Sequence, residues 1–121
     1  MVDSEQEATC GYFGVVSGVK VQDKLAKSGF HASRLAFVDA PLINELPFAV
    51  ECRLKSCDEA SWRLVGESAN VILDERILVE NGKLSFEQFH PLAFGCMNKI
   101  HRSLGTKAGN TFRDGLSLKD V

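Results

Sequence analysis

Residues 38–54, VDAPLINELPFAVECRL, carry the clearest structural pattern in the chain. Pro41 and Pro47 fix the backbone angle φ and disfavour a helix in the residues that precede them. From position 48 to 54 the even positions are apolar, whereas most of the odd positions are charged. A period of two is typical of a strand with one buried face. The segment therefore predicts a β-strand over 48–54 whose even positions face the core.

A second long strand is predicted over 61–73. Trp62 and Leu64 occupy even positions, whereas Val65, Ala69, Val71 and Leu73 occupy odd positions. The change of phase falls at Gly66, and a glycine at such a change indicates a bulge or a sharp bend. We expect the two strands to form an antiparallel pair in a barrel-like sheet, separated by a polar break at 55–59.

The other predicted elements are short. Ser4 and Glu7 form a capping box that would start a helix ending at Gly18, and a second helix over 21–27 would stop at Gly29. The pair Asn81-Gly82 predicts a turn. The remaining expectations are an extended connection over 31–40, one helical turn at 85–88, a short strand over 92–96, and a loop-rich tail with a helical stretch at 107–112.

Length and composition indicate one ordinary globular domain. The chain has 121 residues, of which 45% are hydrophobic and 25% charged, and a formal net charge of -2. This charge gives no electrostatic drive toward nucleic acid or an anionic membrane. No apolar run is long enough to span a bilayer, and the first residues lack the basic and apolar regions of a signal peptide. We therefore expect a cytoplasmic protein without nucleic-acid or membrane partners.

The four cysteines show no metal-binding spacing. Cys10, Cys52, Cys57 and Cys96 contain no C-x-x-C pair, and the three histidines are not spaced to complete a tight site with them. We expect four reduced thiols and no bound metal. A nucleophile system of serine, histidine and aspartate lacks the G-x-S-x-G motif that would order it, so the catalytic residues stay unknown.

Several short pieces, in order along the chain, resemble the flavoredoxin-like flavin reductase family. They are Ser17-Gly18 with Asp23-Lys24, Ser28-Gly29-Phe30, Ala40-Pro41-Leu42-Ile43 with Glu45 and Glu51-Cys52-Arg53, Leu64-Val65-Gly66-Glu67, Gly82-Lys83-Leu84, Pro91-Leu92-Ala93-Phe94, and 104–109. The resembling pieces cover most of 1–121, and the first of them corresponds to a segment near the middle of the family's domain. The resemblance implies a partial FMN-binding domain, an antiparallel split β-barrel with short flanking helices, from which the N-terminal strands are missing.

The resemblance also implies a function. Members of the family bind FMN, pass hydride from NAD(P)H to flavin and are usually homodimers with the flavin near the subunit interface. The cofactor carries the chemistry, and the protein supplies binding, ring stacking and exclusion of water. The alternatives are a non-catalytic remnant or dimerisation module that no longer binds flavin and, further behind, an unrelated β-domain for a small ligand. We expect FMN binding to be weak and flavin reduction to be low or absent.

Two candidate cofactor-binding residues come from the first resembling piece. Ser17 belongs to the Ser-Gly turn, and Lys24 matches a lysine that lies at the flavin in the family. A lysine there can neutralise a phosphate or hold the carbonyl side of the ring. The alternative for Lys24 is a solvated surface lysine.

Four further candidates come from the later pieces. Ser61 stands where many relatives have a histidine, which removes one ring contact, and Trp62 could stack on a flavin or a nicotinamide or pack in the core. Phe94 matches an aromatic residue near the flavin, with core packing as its alternative. His101 could meet a phosphate of FMN or of a pyridine nucleotide, or be an exposed loop residue.

Overall fold

The computed structural model describes residues 1–119, which form one long and two short β-hairpins with flanking helices. The helices are α1 (Glu7–Val15) and α2 (Lys24–Ser28), with single 3₁₀ segments at Ser4–Gln6, Glu75–Ile77 and Asp114–Leu118. The strands are β1 (Ala32–Arg34), β2 (Pro41–Ile43), β3 (Phe48–Asp58), β4 (Arg63–Leu73), β5 (Leu92–Gly95) and β6 (Ile100–Ser103). The predicted mainly-β architecture with short helices is confirmed.

The strands pair only with their chain neighbours. β1 pairs with β2, β3 with β4, and β5 with β6, always antiparallel, so residues 1–119 contain three two-stranded sheets and no closed barrel. None of the helices in this range is long and apolar enough to cross a membrane.

The β3–β4 hairpin confirms the predicted antiparallel pair. Leu54 pairs with Gly66 and Ser56 with Val65, so Lys55 is an extra residue opposite the predicted irregularity at Gly66. A Cβ added at Gly66 would lie 3.0 Å from the Cβ of Cys52, which explains why this position favours glycine. The predicted break at 55–59 is wrong in its extent, because β3 continues to Asp58.

A second extra residue explains the change of phase along β4. Glu51 pairs with Asn70, but the next pair is Cys52 with Ser68, which leaves Ala69 unpaired. Because of this bulge, Val71 and Leu73, at odd positions, lie on the same face of the hairpin as Leu64, at an even position. That face of the hairpin, called the open face below, carries Val50, Leu54, Leu64 and Val71.

The prediction that the even positions of β3 face the core is wrong beyond Phe48. Phe48 stacks on Phe89 with ring centroids 5.9 Å apart, but Val50 is 43% exposed and Leu54 67% exposed. The buried position is Glu51, on the opposite face. The reason is that the loop 35–40 packs against the charged face of β3, where Phe37 bonds to Glu51 and Arg53. Within residues 1–119, the apolar face of the hairpin stays largely exposed.

Glu51 anchors that loop through its carboxylate. Oε2 accepts a hydrogen bond from the backbone N–H of Phe37 at 2.9 Å, and Oε1 accepts one from Nδ2 of Asn70 at 3.0 Å. The bond from Asn70 and those from the backbone of 36–38 lower the pKa of Glu51. A fully paired carboxylate is tolerated in a buried position, which polar patterning alone does not reveal.

Asp3 ties the start of the chain to the segment before β5. Its Oδ2 accepts a hydrogen bond from the backbone N–H of His90 at 2.7 Å, and its Oδ1 accepts one from the N–H of Glu5 at 3.1 Å. Backbone bonds from Ser4 to His90 and from Leu92 to Val2 flank this contact. Burial opposes ionisation of Asp3, but these N–H donors outweigh it and lower the pKa.

The helix boundaries differ from the predicted ones in detail. The capping box uses Asp3 and Gln6 instead of Ser4 and Glu7, and α1 ends at Val15 rather than at Gly18. Gly29 ends α2 with a φ of 76°, as predicted, although α2 begins only at Lys24. An aspartate caps as well as a serine does, so one residue's shift is within the ambiguity of the motif.

The remaining predictions have mixed outcomes. The Asn81-Gly82 turn is confirmed, with Gly82 at a φ of 67°, and β5 confirms the strand predicted over 92–96. The segment 85–88 forms a hydrogen-bonded turn. The connection 31–40 contains β1, which sequence periodicity missed. The helical stretch is at Asp114–Leu118, not at 107–112, because the Asp114 carboxylate accepts the N–H of Asn110 at 2.7 Å and shapes the preceding loop.

The chain is more open than a compact domain of its mass. Its accessible surface is 9,913 Å². A compact monomer of 13.3 kDa exposes about 6,500 Å² according to the size dependence of folded proteins. The excess is about half of the expected value, and the open face contributes to it.

The two anchoring carboxylates predict acid lability. Their folded pKa values lie below their unfolded values of about 4, so the stability they contribute is present above that pH and lost as the pH falls through the folded values. We expect Asp3→Asn and Glu51→Gln to lower the unfolding midpoint in urea at pH 7, with Asp3→Asn costing about 1 kcal/mol because an amide nitrogen in place of Oδ2 cannot accept the N–H of His90. The loss of stability in each variant, relative to the wild type, should shrink toward pH 3.

The control is Glu67→Gln, at an exposed position paired with Lys55. A deficit that is the same at pH 7 and pH 3 would contradict this role.

Candidate functional site

The six candidate residues lie in three separate parts of the fold. Ser17 lies in the connection between α1 and α2, and Lys24 is the first residue of α2. Ser61 and Trp62 lie in the turn of the β3–β4 hairpin. Phe94 and His101 are directly opposite each other on β5 and β6, with ring centroids 5.9 Å apart. The structure therefore brings together only the last pair by direct contact.

Phe94 and His101 line a cavity of about 270 Å³ between the β5–β6 hairpin, α1 and the first residues of the chain. The other lining residues are Met1, Val2, Cys10 and Leu92. Its walls are mostly apolar, with the imidazole of His101 as a polar group. Core packing of Phe94, the alternative from the sequence, is wrong, because this side chain is 65% exposed. His101 lies in β6 and not in a loop.

His101 is held by a residue that the sequence did not point to. Its Nδ1 lies 2.7 Å from Oε1 of Glu7, the first residue of α1, although the two residues are 94 positions apart. Both side chains are partly exposed. No local motif could have revealed this pair, since it exists only because Asp3 places α1 beside the segment that leads into β5.

Two further groups face the cavity. Burial raises the pKa of the Cys10 thiol. Burial also lowers the pKa of the Met1 amino group, which donates a hydrogen bond to the carbonyl of Phe48. Partial burial therefore disfavours the charged forms of these two groups.

Lys24 is engaged in a local contact. Its Nζ donates a hydrogen bond of 2.6 Å to the carbonyl of Phe13 and lies 5.1 Å from the centre of the Phe13 ring. Phe13 in turn stacks on Phe30 at 6.0 Å. A lysine at this place satisfies one of the free carbonyls at the end of α1. The carbonyl of Ser17 accepts the N–H groups of Lys20 and Val21, which closes the turn after α1.

Ser61 and Trp62 close the long hairpin. Oγ of Ser61 donates a hydrogen bond of 2.6 Å to Asp58. Trp62 has a φ of 56° and is 90% exposed, so core packing, the alternative for this residue, is wrong. A bulky residue in the left-handed region is uncommon, and here it stands in the tight turn between β3 and β4.

Other polar groups form pairs rather than clusters. His31 and Glu45 make a contact of 2.7 Å, and several exposed ion pairs lie along the chain. Within residues 1–119, no group of three or more histidine, cysteine, aspartate or glutamate side chains could hold a metal ion.

The chain is similar to solved structures of one kind. Flavoredoxin of Desulfovibrio vulgaris (Miyazaki F) matches with a TM-score of 0.84 and 26% identity over 95% of this chain and 62% of that one. Flavoredoxin from Methanosarcina acetivorans matches with a TM-score of 0.81 and 27% identity over 97% of this chain and 62% of that one.

A third structure supports the same fold. An FMN-binding domain of a flavin reductases-like enzyme from Shewanella baltica OS155 has a TM-score of 0.70 at 15% identity, over 90% of this chain and 60% of that one. The chain thus spans about three-fifths of the length of the structures it matches. No family model matches the chain, and no curated protein matches it significantly.

The structure sharpens the thiol prediction. Cys52, Cys57 and Cys96 are exposed, whereas Cys10 is half-buried and its pKa is raised. Because the thiolate is the reactive form, a disulfide reagent at pH 8 should modify three thiols rapidly and Cys10 more slowly. The denatured, unreduced protein should titrate four thiols. Cys10→Ser should remove only the slow phase. Fewer than four thiols, or a slow phase that persists in Cys10→Ser, would contradict the assignment.

Proposed function

We propose that the chain is a flavin-binding, flavoredoxin-like protein that takes FMN as its cofactor. The likeness to two flavoredoxins at TM-scores of 0.84 and 0.81 carries this proposal, because it extends over at least 95% of the chain. We further propose that the chain corresponds to the C-terminal part of a split-barrel domain, since its resembling pieces follow the order of the family from the middle onward.

The β5–β6 cavity fits the ring of a flavin in its chemistry. Phe94 offers a face for stacking, Leu92 and Val2 supply apolar walls, and His101 supplies a hydrogen-bonding nitrogen. Ligand sites typically have volumes of about 300–1,000 Å³, so a cavity of about 270 Å³ suits the ring better than the whole of FMN. The ring is therefore the part of the cofactor that this cavity would hold.

The remaining candidates would contribute outside the cavity. Lys24 and Ser17 would serve the phosphate, which requires Nζ of Lys24 to exchange the carbonyl of Phe13 for a phosphate oxygen. Trp62 and Ser61, at the tip of the hairpin, would reach a ring only from a neighbouring subunit or after movement of the hairpin. A bound flavin supplies hydride and electron transfer, with NAD(P)H as the proposed donor, while these residues bind and orient it.

The second candidate function is a non-catalytic remnant that keeps the fold and the subunit contact. Ser61 favours it, because a hydroxyl bound to Asp58 replaces the histidine that many relatives carry. Phosphate binding needs several converging donors, each contributing about 1.5–3 kcal/mol. Their loss would weaken binding on the order of a thousandfold. Weak FMN binding and low reductase activity are therefore expected.

Flavin binding is tested by titrating FMN with the purified chain and following the fluorescence of the flavin. We expect a colourless protein that binds FMN reversibly and weakly, and Phe94→Ala should weaken binding about two- to tenfold by removing a stacked ring. Phe112→Ala removes a fully exposed ring elsewhere and should leave affinity unchanged. Absence of FMN binding would contradict the proposed function, and unchanged affinity in Phe94→Ala would contradict the assigned cavity.

We also propose a homodimer that covers the open face. Stable interfaces bury about 800 Å² per partner, well below the excess surface of this chain. Sedimentation equilibrium should give twice 13.3 kDa at micromolar concentration. Leu54→Glu should shift the equilibrium toward monomer, whereas Val19→Glu, at a highly exposed position outside the hairpin, should not. A monomer at all concentrations, or a dimer insensitive to Leu54→Glu, would contradict this interface.

A further inference from the structure

The imidazole of His101 is fixed on two sides. Nδ1 lies 2.7 Å from Oε1 of Glu7, and the ring lies against Phe94 at an interplanar angle of 58°. Glu7 belongs to α1 and Phe94 to β5, so two different elements determine where the imidazole points.

The contact with Glu7 determines which ring nitrogen carries hydrogen. A carboxylate oxygen accepts hydrogen bonds, so Nδ1 must be the donor, and in neutral histidine Nε2 is then an acceptor. Within residues 1–119, no protein group bonds to Nε2 of His101. In its neutral form, His101 therefore presents Nε2 as a hydrogen-bond acceptor at the edge of the cavity that it lines.

A flavin ring offers a matching donor. Its pyrimidine edge has one N–H, at N3, between two carbonyl groups, and the rest of the ring is flat and largely apolar. A ring stacked on Phe94 would place this edge against the polar side of an otherwise apolar cavity. We propose that Glu7 is a positioning residue that holds His101 so that Nε2 accepts a hydrogen bond from N3–H of the flavin. This inference rests on the proposed function.

A modified ligand tests the contact without any change to the protein. Riboflavin and N3-methylriboflavin differ only in the hydrogen at N3, and neither has a phosphate. We expect the wild-type chain to bind riboflavin about tenfold more tightly, which corresponds to one hydrogen bond of about 1.4 kcal/mol. Equal affinities for the two compounds would overturn this inference while flavin binding stands. If neither compound binds but FMN does, the inference about N3–H is overturned and flavin binding stands. If FMN also fails to bind, the proposed function is overturned as well.

Variants then assign the contact to the pair. His101→Phe should bind both compounds with equal affinity, and Glu7→Ala should lose most of the preference, whereas Glu7→Gln, which keeps an acceptor, should retain part of it. Glu5→Gln, in the preceding 3₁₀ segment, is the matched control and should behave as wild type. A full preference for riboflavin in His101→Phe would overturn the assignment.

A spectroscopic readout separates positioning from general damage to the fold. Long-range ¹H–¹⁵N spectra distinguish the two neutral tautomers of histidine. We expect His101 to carry hydrogen on Nδ1 in the wild type and in Glu5→Gln, and to lose this preference in Glu7→Ala while the backbone amide spectrum is retained. The Nε2 resonance of the wild type should shift when riboflavin is added but not when N3-methylriboflavin is added. A His101 tautomer that is unchanged in Glu7→Ala would overturn the role of Glu7.

Discussion

The candidate site depends on the carboxylate of Asp3. By accepting hydrogen bonds from the N–H groups of Glu5 and His90, it fixes the start of the helical segment against the residues that lead into β5. Glu7 and Cys10 then follow on α1, and Phe94 and His101 follow on the β5–β6 hairpin. The cavity thus exists where it does because one buried carboxylate joins two segments 87 residues apart. A buried acid is stable only when it is fully paired, which makes this junction specific as well as strong.

The β3–β4 hairpin is governed by a different constraint. The extra residue of β4, Ala69, keeps Leu64 and Val71 on one face although their positions differ in parity, and Lys55 is a second extra residue, in β3. The opposite face is held by Glu51, which binds the loop 35–40. The hairpin is therefore ordered by polar contacts on one side and leaves an apolar surface on the other. Such a surface is typical of a site that another protein surface covers.

The sequence predicted the local elements better than their environment. The alternation at 48–54 and the phase change near Gly66 depend on nearest neighbours along the strand, so they identified the hairpin and its irregularity. Burial depends on what the rest of the chain places above each face, and the alternation therefore assigned the wrong side to the core. Phe94 and His101 were found through resemblance to a family, and the structure brings them into contact. Glu7 was missed because its pairing with His101 requires the long-range junction at Asp3.

The most direct test of the flavin cavity is to measure intermolecular nuclear Overhauser effects between the ring methyl groups of riboflavin and the protein. A ring held in this cavity should give contacts with Leu92 and Phe94 of the β5–β6 hairpin and with Val2. Contacts confined to Trp62 at the tip of the β3–β4 hairpin, or to the surroundings of Lys24 at the start of α2, would contradict binding in this cavity and place the ring elsewhere in the fold.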